Sequence, residues 1–112
     1  MMPMSDSASP LTPAVFHVLL ALSEGPLHGY AIMRRAEEAS GTSMGPGTVY
    51  GALSRLAEAG WVQEADSDPD DARRSRSFEL TSLGQEALGE EAQRITRLAG
   101  MEQVRRFAAD TP

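Results

Sequence analysis

The chain has 112 residues, 41% of them hydrophobic, with a net charge of -6 and no cysteine. That length suits one domain with a modest core, to which a dimer interface would add support. The absence of cysteine excludes a disulfide framework, a thiolate zinc site and cysteine catalysis. No apolar run reaches membrane-spanning length and no secretory signal stands at the N-terminus, so a cytoplasmic location without membrane contact is expected. The acids concentrate at 66–71 and 86–91, whereas 46–58 and 73–76 are locally neutral or basic. The negative sum therefore argues against strong non-specific binding to nucleic acid and leaves specific binding open, because recognition depends on where charge sits.

Residues 1–10, rich in Met, Ser and Pro, are expected to form a mobile arm. Thr12 fits an N-cap and Pro13 the first helical position. Val15, Val18, Leu19 and Leu22 then make an apolar stripe, widened by Phe16 and Leu20. Gly25-Pro26 stops this helix. His28-Gly29-Tyr30 opens a second helix over about 30–39, with Ile32, Ala36 and Ala39 inward and Arg34, Arg35, Glu37 and Glu38 mostly outward. Gly41 ends it.

A third helix is expected from Pro46, at its first turn, to Gly60, just past its end. Val49, Leu53 and Leu56 form its apolar face. The opposite face carries Gly47, Thr48, Tyr50, Gly51, Ser54, Arg55 and Glu58. A solvated face usually carries Lys/Glu pairs one turn apart, and two exposed helical glycines cost about 1 kcal/mol each relative to Ala. A partner that must approach the backbone closely accounts for them, and a DNA major groove is such a partner. A capped amphipathic helix with a small-residue packing face is the alternative.

After Gly60 the period changes to two. Short strands are expected at 61–65 and 75–80, with Phe78 and Leu80 on one face, joined by a charged loop. Thr81-Ser82 then caps a last helix, Ser82 with Gln85 fitting a capping box. That helix is expected to run unbroken over about 83–107, with a stripe of Leu88, Ala92, Ile95, Leu98, Ala99, Met101 and Val104. It is longer than a small three-helix core can cover, so its stripe is expected to pack against a second copy. The fold class is thus mainly α (α+β), a winged helix-turn-helix with a long C-terminal dimerisation helix. Residues 1–10 are the arm, 11–81 the winged domain, and 82–112 the dimerisation helix and tail.

Four ordered motifs, Leu27-His-Gly-Tyr-Ala-Ile32, Gly47-Thr-Val-Tyr-Gly-Ala-Leu53 with Arg55-Leu56, Gly60-Trp-Val62, and Phe78-Glu-Leu-Thr81 with Gly84, span residues 11 to about 85. With them the sequence resembles the PadR family of bacterial transcriptional regulators, and its single C-terminal helix the smaller PadR subfamily. The resemblance implies a homodimeric repressor of a near-palindromic operator in double-stranded DNA, some relatives responding to small aromatic or drug-like effectors between subunits. Carried over by residue, Thr48 and Tyr50 face DNA. The backbone at Pro46, Gly47 and Thr48 offers a phosphate site, Ser54 lies on the same face, Arg55 is a candidate phosphate contact or an ion-pair partner of Glu58, and Arg73, Arg74 and Arg76 form the basic end of the wing. His28, Gly29 and Tyr30 are structural in this reading.

The sequence departs from the family pattern at four places. Gly45 replaces a Ser that would cap the third helix. The wing tip is acidic at Asp66, Asp68, Asp70 and Asp71, Phe78 stands where Tyr is usual, and the last helix lacks Trp. An aromatic-clamped drug pocket is therefore not carried over, although Phe16, Met101 and Phe107 are candidates to line a dimer cavity.

Other chemistry has little support. His17 and His28 lie on separate elements without a convergent ligand set. Ser54 and Ser75 lack a nucleophile elbow, and Gly45-Pro-Gly47 lacks the phosphate-binding Lys pattern. The 66–71 loop lacks the Gly and Glu of a calcium site. No enzyme, metal or cofactor is expected. The rival readings are a winged-helix protein-interaction module without DNA binding and a small-molecule sensor with a cavity between terminal helices.

Overall fold

The computed structural model describes residues 11–65 and 76–112. Among the described residues five helices and three short strands occur: α1 (Pro13–Ala21), β1 (Leu27–His28), α2 (Gly29–Ser40), α3 (Pro46–Glu58), β2 (Val62–Glu64), β3 (Ser77–Leu80), α4 (Ser82–Ala99) and α5 (Glu102–Asp110). The expected arm and the wing tip, including Arg73 and Arg74, lie outside them.

Local chemistry sets the helix ends. Thr12 caps α1, its hydroxyl accepting from the Val15 N–H at 3.2 Å. Pro46 opens α3 behind an extended Gly45 that offers no side-chain cap. Gly41 and Gly60 turn the chain out of α2 and α3 at φ 77° and 83°. Val18, Leu19, Leu22, Ile32, Val49, Leu53, Leu56, Val62 and Phe78 are buried in one core. That core takes the apolar face of each of the first three helices, and α1 packs against both α2 and α3.

The sheet has the order β1-β3-β2 and is antiparallel throughout. Val62 pairs with Leu80 and Glu64 with Phe78 across the wing, while Leu27 pairs with Phe78 on the other side of β3. The strand at Leu27–His28 is an addition to the expected hairpin. The expected strands at 61–65 and 75–80 shorten to Val62–Glu64 and Ser77–Leu80.

The principal correction concerns the last helix. The expected unbroken run over 83–107 is two helices: α4 ends at Ala99 with Gly100 as its C-cap, Met101 is extended at φ -75° and ψ 137°, and α5 begins at Glu102. Gly100 is a poor helix former, and every residue from 99 onward is exposed, so no packing holds the chain straight through it. The cap also shifts by one residue. Thr81, not Ser82, is the N-cap; its hydroxyl accepts from Gly84 N–H at 3.0 Å and donates to the Gly60 carbonyl at 2.6 Å. The Ser82–Gln85 capping box is therefore not formed. Ala39 and Leu20, expected inward, are exposed. Among the described residues no helix is long and apolar enough to cross a membrane.

Two glycines carry the packing of the wing and the helix pair. Gly84 lies so close to Trp61 that a Cβ there would overlap the Trp61 carbonyl, which also accepts the Thr81 N–H at 3.0 Å. The start of α4 is thereby pressed onto the end of the third helix. Gly29 lies under the Tyr50 ring, and a Cβ would overlap its hydroxyl.

Candidate nucleic-acid interface

Burial of Val49, Ala52, Leu53 and Leu56 turns the other side of α3 outward. Pro46, Gly47, Thr48, Tyr50, Ser54 and Arg55 are all exposed there, and Gly51 is half-buried. Among the described residues Arg55 makes no ion pair with Glu58. The N-terminus of α3 carries no side-chain cap, leaving its first N–H groups pointing outward with the positive end of the helix dipole.

Glu37 holds this helix in place. Expected on the outward side of α2, it is half-buried and its carboxylate accepts the Met44 N–H at 2.9 Å. That bond ties the second helix to the turn that leads into α3. Ser40 braces the same turn, its hydroxyl accepting from the Thr42 N–H at 3.1 Å. Sequence reasoning missed Glu37 because its role spans seven residues and leaves no periodic mark.

Tyr50 is 44% exposed, yet its hydroxyl rests against Gly29, so the ring bridges the starts of α2 and α3. Tyr30, read from sequence as structural, is 65% exposed, with the Arg34 guanidinium 5.9 Å from its ring centroid. The outward face thus extends from α3 onto the first turns of α2. Tyr30, Tyr50, Met33, Pro46, Val49 and Gly29 enclose a cleft of about 100 Å³ between the two helix starts.

In the wing Arg76 is held in a local ion pair. Arg76 donates to Glu64 from Nη2 at 2.7 Å and from Nε at 3.2 Å, and its guanidinium lies 5.2 Å from the Phe78 ring centroid. Gln63 and Glu79 bond across the same strands at 2.8 Å. His28 Nδ1 and the Ser77 hydroxyl stand 3.0 Å apart and join β1 to the wing.

The remaining candidates lie away from this face. Leu88 is half-buried against the core. Ala92, Ile95, Ala99 and Met101 are exposed, as are Val104 and Phe107, while Leu98 is half-buried. Glu91, on α4, is buried and accepts two bonds from Arg94, at 3.1 and 2.7 Å. Those bonds hold its carboxyl below the ordinary value against the opposing effect of burial. Phe16 is half-buried with its ring centroid 6.0 Å from that of His17. Met101 and Phe107, the other two candidate effector contacts, lie at the exposed end of the chain.

Three helices, an antiparallel wing and an outward third helix define a winged helix-turn-helix of the regulator type. Residues 18–90 match the transcriptional regulator PadR-like family, and the chain belongs to it. Its members are transcriptional regulators and not enzymes. An uncharacterized 37.1 kDa protein in transposon TN4556 of Streptomyces fradiae is 46% identical over 83 residues, which is 74% of this chain and 23% of that protein. The chain thus spans about a quarter of that relative's length. Among solved structures, H. salinarum RosR superposes with a TM-score of 0.68 at 25% identity, over 92% of this chain and 91% of that one. Bacillus subtilis PadR in complex with operator DNA superposes with a TM-score of 0.62 at 23% identity, over 73% of this chain and 46% of that one.

Proposed function

We propose that the chain is a DNA-binding regulator, acting as a homodimeric repressor that sets two α3 helices into successive major grooves of a near-palindromic operator. The observation that carries this reading is the outward face of α3: small, hydroxylated and cationic side chains beside an uncapped helix start, on a helix whose other face is buried. The B. subtilis neighbour bound to operator DNA supports it. Pro46, Gly47 and Thr48 present backbone N–H groups to phosphate. Tyr50, Ser54 and Arg55 reach base edges or backbone, and Arg73, Arg74 and Arg76 contact the flanking strand.

The dimer uses Leu88, Ala92, Ile95, Leu98, Ala99 and Met101. The exposure of Ile95 at 39% and Met101 at 41% in a single protomer supports a partner for this stripe. An apolar effector between the terminal helices, near Phe16, Met101 and Phe107, would relieve repression by changing the spacing of the two heads.

Fluorescence anisotropy with the duplex upstream of the gene, a scrambled duplex and a salt series tests this. Tight, sequence-preferring binding that weakens steeply with salt is expected, together with at least tenfold loss in Tyr50→Ala and Arg74→Ala. Unchanged affinity in both variants overturns the residue assignment.

The engaged Arg76–Glu64 pair favours a second reading, a winged-helix protein-interaction module. Failure to enrich any duplex from pooled genomic fragments would give that reading the lead.

A further inference from the structure

The cleft between the starts of α2 and α3 is lined almost wholly by carbon: the rings of Tyr30, Tyr50 and Pro46, the Met33 and Val49 side chains, and Gly29. Its volume of about 100 Å³ equals roughly three water molecules and falls well below the ~300–1,000 Å³ of sites for drug-sized ligands. A drug-sized effector exceeds this volume, whereas a methyl group with the edge of its ring fits within it. Two of its lining residues, Pro46 and Tyr50, are exposed on the N-terminal half of α3, the part whose residues meet base edges in a helix-turn-helix. The one apolar group that a base presents in the major groove is the C5 methyl of thymine.

We propose that this cleft is a thymine-methyl receptor that fixes one base of each half-site. Met33 and Val49 form its apolar lining, and Tyr30 and Tyr50 form its walls. Tyr50 keeps its wall position only because Gly29 has no Cβ: the phenol occupies the space a side chain would take. Burial of a methyl without any polar partner gives selection against cytosine, whose C5 carries hydrogen, and against uracil, which keeps every thymine hydrogen bond.

The inference rests on the DNA-binding reading, and its test separates the two. The full-length protein is used to enrich duplexes from a random-sequence library, and each thymine of the enriched duplex is then replaced singly by uracil. One position per half-site is expected to lose about fourfold in affinity, the effect of one buried methyl. That penalty should disappear in Tyr30→Ala, whose exposed side chain can be removed without unfolding the core. In a separate arm, the thymine pair at that position is replaced by a 5-methylcytosine pair. Partial recovery over an unmethylated cytosine pair is expected, because the C5 methyl returns while the base edge differs. Tight, sequence-preferring binding with no sensitive thymine overturns the receptor and leaves the regulator reading intact. Equal uracil penalties in the wild type and Tyr30→Ala overturn the assignment to this cleft. Failure to enrich any duplex overturns both.

Discussion

Gly47 and Gly51 sit one turn apart on the outward face of α3, and a Cβ built on either meets nothing within 4 Å. Neither has a positive φ. The fold therefore supplies no reason for glycine at these positions, while helix propensity disfavours it. Ala at Gly51, inside the helix, should stabilise the protein by about 1 kcal/mol; Gly47 lies in the first turn and should contribute less. The double variant should gain roughly 1.5 kcal/mol and melt roughly 5–10 °C higher. Each added methyl would stand between the helix backbone and the groove wall. Overpacking of a close contact costs about 1–3 kcal/mol, so operator affinity should fall at least about tenfold. Thermal denaturation by circular dichroism and anisotropy on the same samples measure both quantities. Gly89→Ala on α4, also into open space, is the control: it should gain stability and keep its affinity. A double variant that is stabilised and still binds fully would refute the close-approach argument. Destabilisation would refute the claim that the fold leaves these positions free.

At Gly84 the sign reverses. Gly84→Ala should destabilise by about 1–3 kcal/mol despite the better helix former, because its methyl meets the Trp61 carbonyl, and the melting temperature should drop. In the wing, the Arg76–Glu64 pair is solvent-exposed, with side chains 62% and 58% accessible, so breaking it should cost less than about 1 kcal/mol. Glu64→Gln should free the guanidinium for phosphate and steepen the slope of log affinity against log salt by about one; an unchanged slope would remove Arg76 from the contact set. Glu91 has a carboxyl depressed by Arg94, so its contribution is present above the ordinary value of 4.5 and is lost as pH falls through the lower folded-state value. Urea unfolding against pH should show stability falling on the acid side, and Glu91→Gln should flatten that fall.

Features decided within a few residues were legible in the sequence. Thr12, Pro13, Pro46, Gly41 and Gly60 mark helix ends through their own backbone or side-chain chemistry, and the structure keeps each of these roles. The apolar face of the third helix followed from its period. β1 was not legible, because two residues carry no alternation and their pairing partner, Phe78, lies far along the chain. The break after Ala99 was missed for a related reason. The stripe of apolar residues continues past Gly100, but continuity of pattern holds a helix together only where a surface packs against it. Among the described residues nothing covers 101–110, all of which are exposed.

The interface divides along the same line. Thr48, Tyr50, Ser54 and Arg55 were legible as an outward set because α3 fixes their direction. The roles of Glu37 and Tyr30 and the partner of Arg76 were not, since each depends on which side chain a neighbouring element brings up. Glu64 meets Arg76 only through the register that sets Glu64 opposite Phe78. The glycines draw the distinction most sharply. In sequence Gly29, Gly84, Gly47 and Gly51 are alike, all within motifs. In the structure Gly29 and Gly84 are required by a neighbouring tyrosine and a neighbouring carbonyl, so the fold accounts for them. Gly47 and Gly51 face open space at an unrecovered cost in helix stability. A cost that the fold does not demand points to a surface outside it, and the side of α3 on which both lie is the side that the regulator reading turns toward DNA.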